Sequence, residues 1–301
     1  MRRTVFAYTS DNPSTPSLLI GVLIILDSMH YIFARLLLPH IAPEISVLYV
    51  FAISTVEVGL YGLLKGNLRL GDMRRHFWFF MAIAFLLAIS INIDYQAVAF
   101  VNPGVASLLS QTSILFGLAF GIGWMHDRLS LRQAIGALLT IAGAVIISFQ
   151  KTDYLRLGSL LIIVSSLSYA LHTALAKRHG NDMEFLTFFF GRLSFTTVLL
   201  FAAAAVQGAL AWPSPVAWGL MILVGTVDIV LSRALYYVAL RRLTMSAHTL
   251  VLRLSPVVTM LWALLLFRAL PTLQQTIGGI AIIVGVVLAT LRPPDRKAVP
   301  A

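Results

Sequence analysis

The chain has no cysteine, and only 12 of its 301 residues are acidic. Without cysteine there is no disulfide bond, no thiol nucleophile and no thiolate metal site. Charged residues of both signs make up 11% of the chain and apolar residues 59%. Soluble domains carry about 25% charged residues, so this composition excludes an ordinary soluble protein. A Walker-type phosphate loop is also missing, which excludes a pump driven by ATP hydrolysis.

Long apolar runs take the place of the missing charges. A run of about 20 apolar residues crosses a hydrocarbon core about 30 Å thick. The sequence therefore predicts an all-α membrane protein with ten transmembrane helices, at Leu18–Pro39, Ile45–Leu64, Phe77–Val98, Pro103–Met125, Leu131–Phe149, Leu157–Ala176, Phe185–Val206, Val216–Leu240, Ser246–Phe267 and Leu273–Leu291. The short connecting segments leave no room for a soluble catalytic domain.

The basic residues are distributed unevenly between the two sides of these predicted spans. Of 22 Lys and Arg, 15 fall on the side of the termini and three on the other, while four lie inside apolar runs. By the positive-inside rule both termini are cytoplasmic, and we expect a multi-pass protein of the cell (inner) membrane. The net charge of +10 is then explained by topology, and nucleic acid is not an expected partner.

The chain also contains an internal repeat. A shift of 142 residues aligns Tyr95–Val145 with Tyr237–Val287 without a gap, with 11 of 51 positions identical. Asn102, before Pro103 at a helix start, is a good N-cap and aligns with Thr244, which is another. The sequence predicts two five-helix halves, residues 1–150 and 151–301. Because five is odd, the second half enters the membrane from the opposite side, which gives an inverted repeat.

Several motifs in the two halves resemble one transporter family. Residues 106–113 and 127–136, with Gly143, are similar to the fourth and fifth helices of the drug/metabolite transporter superfamily, specifically the EamA type. Residues 254–257, with Gln275, Gly278 and Gly285, are similar to its ninth and tenth helices. Two positions depart from the family pattern, because Asp127 aligns with Ala269 and Pro256 with Ile114. The resemblance implies ten helices around a central cavity. It also implies a transporter, rather than an enzyme, that moves small organic molecules by rocking of the two halves.

Ionisable side chains within the apolar runs are the best site candidates, because a buried charge is costly and normally faces a bundle interior or a water-filled cavity. Asp27 and His30 are the strongest pair, since residues three apart share a helix face. The alternative for every candidate is a structural bond inside the bundle. The predicted substrate-binding residues are Asp27, His30, Glu57, Asp94, Gln96, Gln111, His248 and Arg253. A gate or an internal ion pair is predicted for Arg192, Asp228 and Arg233.

These observations favour a secondary transporter of a small polar or amphipathic metabolite, an amino acid or organic acid, with export as the expected direction. Acidic and basic groups together suit a zwitterion or an anion. A nucleotide-sugar or sugar-phosphate exchanger is the second hypothesis, supported by the arginines. An intramembrane aspartyl protease using Asp94 and Asp228 is the alternative from another class, on loose motif matches. We expect no cofactor or metal, a small-molecule substrate, coupling to protons, and a monomer or weak homodimer.

Overall fold

The computed structural model describes residues 14–66, 68–125, 130–148, 153–180, 183–235 and 245–290, and within these ranges the regular structure is helical. A π-helical segment, Gly225–Leu231, continues α11. The helices are α1 Ser14–Ser28, α2 His30–Leu37, α3 Pro43–Leu64, α4 Leu70–Arg75, α5 Phe77–Ala97, α6 Pro103–Ser110, α7 Ser113–Met125, α8 Leu131–Ser148, α9 Asp153–His179, α10 Phe185–Val206, α11 Pro215–Val224, α12 Met245–Phe267 and α13 Leu273–Thr290.

Eight helical stretches in the described part of the chain are long and apolar enough to cross a membrane. They are α3, α5, α6 with α7, α8, α9, α10, α11 with the π segment, and α13. The predicted first and ninth spans correspond to α1 with α2, which are interrupted at Met29, and to α12. In α12 the apolar stretch that the structure describes is Leu254–Phe267. The predicted all-helical membrane architecture is therefore confirmed at this level.

Polar caps and prolines determine where several helices begin. The side chain of Asn102 accepts a hydrogen bond from the Val105 backbone N–H at 2.8 Å, and Pro103 occupies the first turn of α6, as predicted. Ser214 caps α11 in the same way, accepting from the Ala217 N–H at 3.2 Å. Such caps satisfy backbone donors that have no partner at a helix start.

The helix bounds repeat with the same offset as the sequence. Shifting α3 by 142 residues gives the bounds of α10, and shifting α8 gives those of α13. The caps repeat as well: the Ser130 N–H donates to Gln133 Oε1 at 2.9 Å, and the Thr272 N–H donates to Gln275 Oε1 at 3.0 Å. Because these bonds join residues related by the same shift, the two halves share local structure as well as sequence.

Equivalent residues of the two halves also meet each other. Thr55 on α3 and Thr197 on α10, which are 142 residues apart, lie with their hydroxyl oxygens 2.9 Å from each other. Between α8 and α13, Gly143 lies against Gly278, and Gly136 lies against Gly285. The shift converts one of these glycine contacts into the other. The contacts therefore indicate an internal pseudo-two-fold axis that passes between α3 and α10 and between α8 and α13.

Candidate functional site

A buried polar cluster joins the first half of the chain to the second. His30, at the start of α2, lies with its Nδ1 2.7 Å from Asp228 Oδ2. The Asp228 side chain is only 3% exposed. This carboxylate lies in the π-helical segment, where the wider turn changes the direction of side chains; such segments occur frequently at functional sites. A pair of this kind is stable in a membrane interior because each partner compensates the desolvation of the other.

The π segment is held against α3. The Ser54 hydroxyl donates to the Gly225 carbonyl at 3.1 Å, and the Thr226 hydroxyl donates to Glu57 Oε1 at 2.6 Å. A Cβ on Gly225 would lie 3.1 Å from the Val50 carbonyl oxygen, so this glycine permits the close approach of the two backbones. Glu57 thus anchors the segment that carries Asp228.

Helix α5 contributes the second buried carboxylate. Asp94 accepts a hydrogen bond at Oδ1 from the Tyr31 hydroxyl at 3.2 Å. Tyr95, the next residue, is buried, and its ring contacts the edge of the His30 ring with centroids 6.0 Å apart. The Tyr95 hydroxyl forms no hydrogen bond with any other described group. We call His30, Tyr31, Asp94, Tyr95 and Asp228 the His30 cluster.

Two arginines lie near the buried histidines, and one of them lies near this cluster. Arg233 is within electrostatic range of His30 and of His172, a buried histidine on α9. Arg192 is also within electrostatic range of His172, and its guanidinium carbon lies 5.4 Å from the centroid of the Phe189 ring. Groups of both charge signs, Asp228 and Arg233, therefore lie near His30, and such groups can interact with a molecule that carries charge.

A cavity of about 280 Å³ lies between α7 and α9. It extends from Ser113 and Tyr169 to Lys177, near the end of α9. Tyr169 is within electrostatic range of Tyr31, so one end of the cavity approaches the His30 cluster. The cavity begins just beyond the break between α6 and α7, where Gln111 is found. Its volume is near the lower limit of typical small-ligand pockets.

The other predicted site residues take several different positions. Asp27 is half-buried and forms no hydrogen bond or ion pair with another described residue. The amide of Gln96 donates to the side chain of Asn92, one turn earlier on α5. The side chains of His248 and Arg253 lie outside the described residues.

Two members of the His30 cluster, and the buried His172 on α9, were not among the candidates. Tyr31 and Tyr95 fall within predicted spans, where aromatic residues are common, so nothing in the sequence distinguishes them. His172 could have been found, because it is the repeat equivalent of His30, 142 residues further along the chain. Among the described side chains no group of three or more His, Cys, Asp or Glu residues is placed to hold a metal ion.

A bundle of apolar helices in two related halves, joined by buried charges beside a cavity, is the architecture of a membrane transport protein. The model of the EamA-like transporter family matches residues 16–149 and again residues 156–291. The chain belongs to this family, which confirms the resemblance to the drug/metabolite transporters noted in the sequence.

Two known proteins are similar over most of the chain. An uncharacterized transporter of Synechocystis is 22% identical over 236 residues, covering 73% of this chain and 68% of that protein. A crystal structure titled only as that of a protein has a TM-score of 0.65 and 18% identity, and the match covers 93% of this chain and 97% of the other. The second similarity shows the fold alone.

Proposed function

We propose that the protein is a secondary transporter that moves a small polar or amphipathic metabolite, an amino acid or an organic acid, by alternating access. The observation that carries the proposal is the 2.7 Å bond between His30 and Asp228. It joins the first half to the second, and a cavity of about 280 Å³ between α7 and α9 approaches the same cluster at Tyr169. Movement of one half against the other would break this bond. A ligand that replaces His30 or Asp228 as the bonding partner would therefore change the equilibrium between the inward-open and outward-open conformations.

The membrane arrangement is part of the same proposal. We propose ten spans, with α1 and α2 forming the first and α12 the ninth, both termini in the cytoplasm, and the cell (inner) membrane as the location. The 15-to-three distribution of basic residues supports this orientation. Lys177 then marks the cytoplasmic end of the cavity.

Coupling to protons is also proposed. Histidine is the side chain that ordinarily changes charge near neutral pH. His30 contacts Asp228, Tyr31 and Tyr95, and lies within electrostatic range of Asp94 and Arg233. A proton gained or lost here would change the charge of the bond between the halves.

The chemistry of the cluster favours an amino acid over a sugar phosphate. Phosphate sites are built from Arg and Lys donors, whereas two carboxylates lie at the centre of this cluster. The alternative function, an intramembrane aspartyl protease, would require the carboxylates of Asp94 and Asp228 to share a proton. Asp94 instead accepts from Tyr31, and Asp228 bonds His30; no hydrogen bond joins the two aspartates in the described structure.

Uptake by proteoliposomes tests the proposal. Purified protein is reconstituted and assayed with radiolabelled amino acids, organic acids and sugar phosphates, in both directions and with and without a pH gradient. We expect protein-dependent transport of at least one compound. Asp228→Asn should reduce this transport at least tenfold, because a neutral amide cannot replace the carboxylate in the bond between the halves.

The matched control is Asp72→Asn, which removes a carboxylate from α4, outside the His30 cluster. We expect this variant to transport at the wild-type rate. No protein-dependent movement of any compound by the wild type would contradict the proposed function. Equal rates for the two variants would remove the His30 cluster from the transport pathway.

A further inference from the structure

We propose that Asp94, Tyr95 and Asp228 form a subsite for the protonated amine of the transported molecule. The inference rests on the proposed transport function and adds the chemical class of the substrate. It begins from Tyr95, which is 1% exposed and whose hydroxyl has no hydrogen-bond partner among the described residues. A buried hydroxyl without a partner costs free energy, so its presence requires an explanation.

The neighbouring tyrosine shows that the bundle can satisfy such a group. Tyr31 is also buried, and its hydroxyl donates to Asp94 at 3.2 Å. Asp94 and Tyr95 are adjacent on α5, yet only Tyr31 reaches a carboxylate. The two tyrosines therefore differ in a way that experiments can use: one hydroxyl is bonded within the protein and the other is available to a ligand.

The surroundings of Tyr95 determine which ligand fits. Its hydroxyl lies within electrostatic range of both Asp94 and Asp228. Asp228 bonds His30 through one of its two carboxylate oxygens, Oδ2. An ammonium group has three N–H donors. Two carboxylates and one hydroxyl oxygen provide three acceptors, and the negative charge of the carboxylates favours a cation over a neutral group.

His30 supports this assignment because it already places a nitrogen donor against Asp228. When the amine binds, its N–H groups partly replace the His30 nitrogen as donors to the Asp228 carboxylate. In the described conformation the three subsite residues are at most 9% exposed. The amine therefore reaches them only when the helices around the cluster move, which is the behaviour expected of an occluded transport site.

The test compares two tyrosine variants. Tyr95→Phe removes the hydroxyl that lacks a partner, and Tyr31→Phe removes the one bonded to Asp94. Tyr61→Phe, on the exposed face of α3, is the control. Each variant is assayed for thermal stability in detergent and for uptake kinetics with an amino acid that the wild type transports. The 2-hydroxy acid with the same side chain, in which a hydroxyl replaces the amine, is assayed in parallel.

We expect Tyr95→Phe to melt at or above the wild-type temperature, since no internal bond is lost, and to raise KM for the amino acid about tenfold. Tyr31→Phe should melt lower, and Tyr61→Phe should match the wild type in both assays. The 2-hydroxy acid should not be transported.

An unchanged KM in Tyr95→Phe would overturn the subsite. A melting temperature lowered as far as that of Tyr31→Phe would also overturn it, because the hydroxyl would then have a partner within the protein. Transport of organic acids alone by the wild type would reject the subsite and keep the proposed function. Failure of the wild type to transport any compound would reject both.

Discussion

Replacing Gly143 by alanine should separate two helices that the structure brings into direct backbone contact. A Cβ at Gly143 would lie 2.5 Å from the Gly278 carbonyl oxygen and 2.8 Å from the Ile282 backbone nitrogen. Both are backbone atoms, so no side chain can rotate away to make room. Helices α8 and α13 would have to move apart by at least about 0.5 Å to bring these contacts to normal distances. Overpacking of this kind costs about 1–3 kcal/mol.

The assay is unfolding by SDS of the purified protein in detergent micelles, followed by circular dichroism. Gly219→Ala is the control, because a Cβ at Gly219 meets no atom within 4 Å and the glycine lies in helix α11. Alanine is a better helix former than glycine by about 1 kcal/mol, so this control should be at least as stable as the wild type. Equal stability of the two variants would refute the close packing of α8 and α13.

The internal repeat makes the double variant informative. Gly136 lies against Gly285 across the same interface, so Gly136→Ala should cost about as much as Gly143→Ala. Once one alanine has moved the helices apart, the second finds some of the space it needs. The combined loss should therefore be smaller than the sum of the two, as is usual for substitutions that share an interface. A strictly additive loss would show that each site relaxes independently.

Two further predictions concern topology and capping. The chain has no cysteine, so single cysteines at Lys65 and Gln207, which are equivalent exposed positions of the two halves, can each be labelled with a membrane-impermeant maleimide. Lys65→Cys should react only from the cytoplasmic side and Gln207→Cys only from the outer side. Reaction of both from the same side would contradict the inverted repeat. Gln275→Ala removes the acceptor for the Thr272 N–H at the start of α13 and should lower stability to SDS by about 1 kcal/mol. Thr276→Ala is the control and should have a smaller effect, because the Thr276 hydroxyl donates to the Thr272 carbonyl one turn earlier.

Most of the helix bounds could be predicted from the sequence because the thickness of the bilayer determines the length of an apolar run. The predicted span Phe185–Val206 has the same bounds as α10. The interruption at Met29 and the π segment around Asp228 could not be predicted. Both depart from regular α-helical hydrogen bonding, and in both a partner distant in sequence is involved: His30 and Asp228 are 198 residues apart and bond each other.

The sequence indicated which charged residues are candidates but not which residues pair. Asp228 is predicted, with Arg192 and Arg233, to form a gate or an internal ion pair, and the structure places the His30 imidazole against its carboxylate. Glu57 is a predicted substrate-binding residue with a structural bond as its alternative, and in the structure it accepts a hydrogen bond from Thr226. Pairings of this kind depend on how helices pack, and apolar runs contain little information about which faces meet.

The two halves of the protein differ at the position where the site is built. His30 and His172 are equivalent in the repeat, yet His30 bonds the Asp228 carboxylate, while His172 bonds the Ile83 backbone carbonyl at 2.8 Å. The counterpart of Asp228 in the first half is Leu86, so that half has no carboxylate at the equivalent position. Under the proposed mechanism the two halves exchange conformations during transport. Because the first half has leucine at the position equivalent to Asp228, this exchange does not form a second bond like that between His30 and Asp228. The two arrangements therefore differ in electrostatic energy at one buried site, and a cation or proton bound there shifts the equilibrium between them because it interacts differently with each.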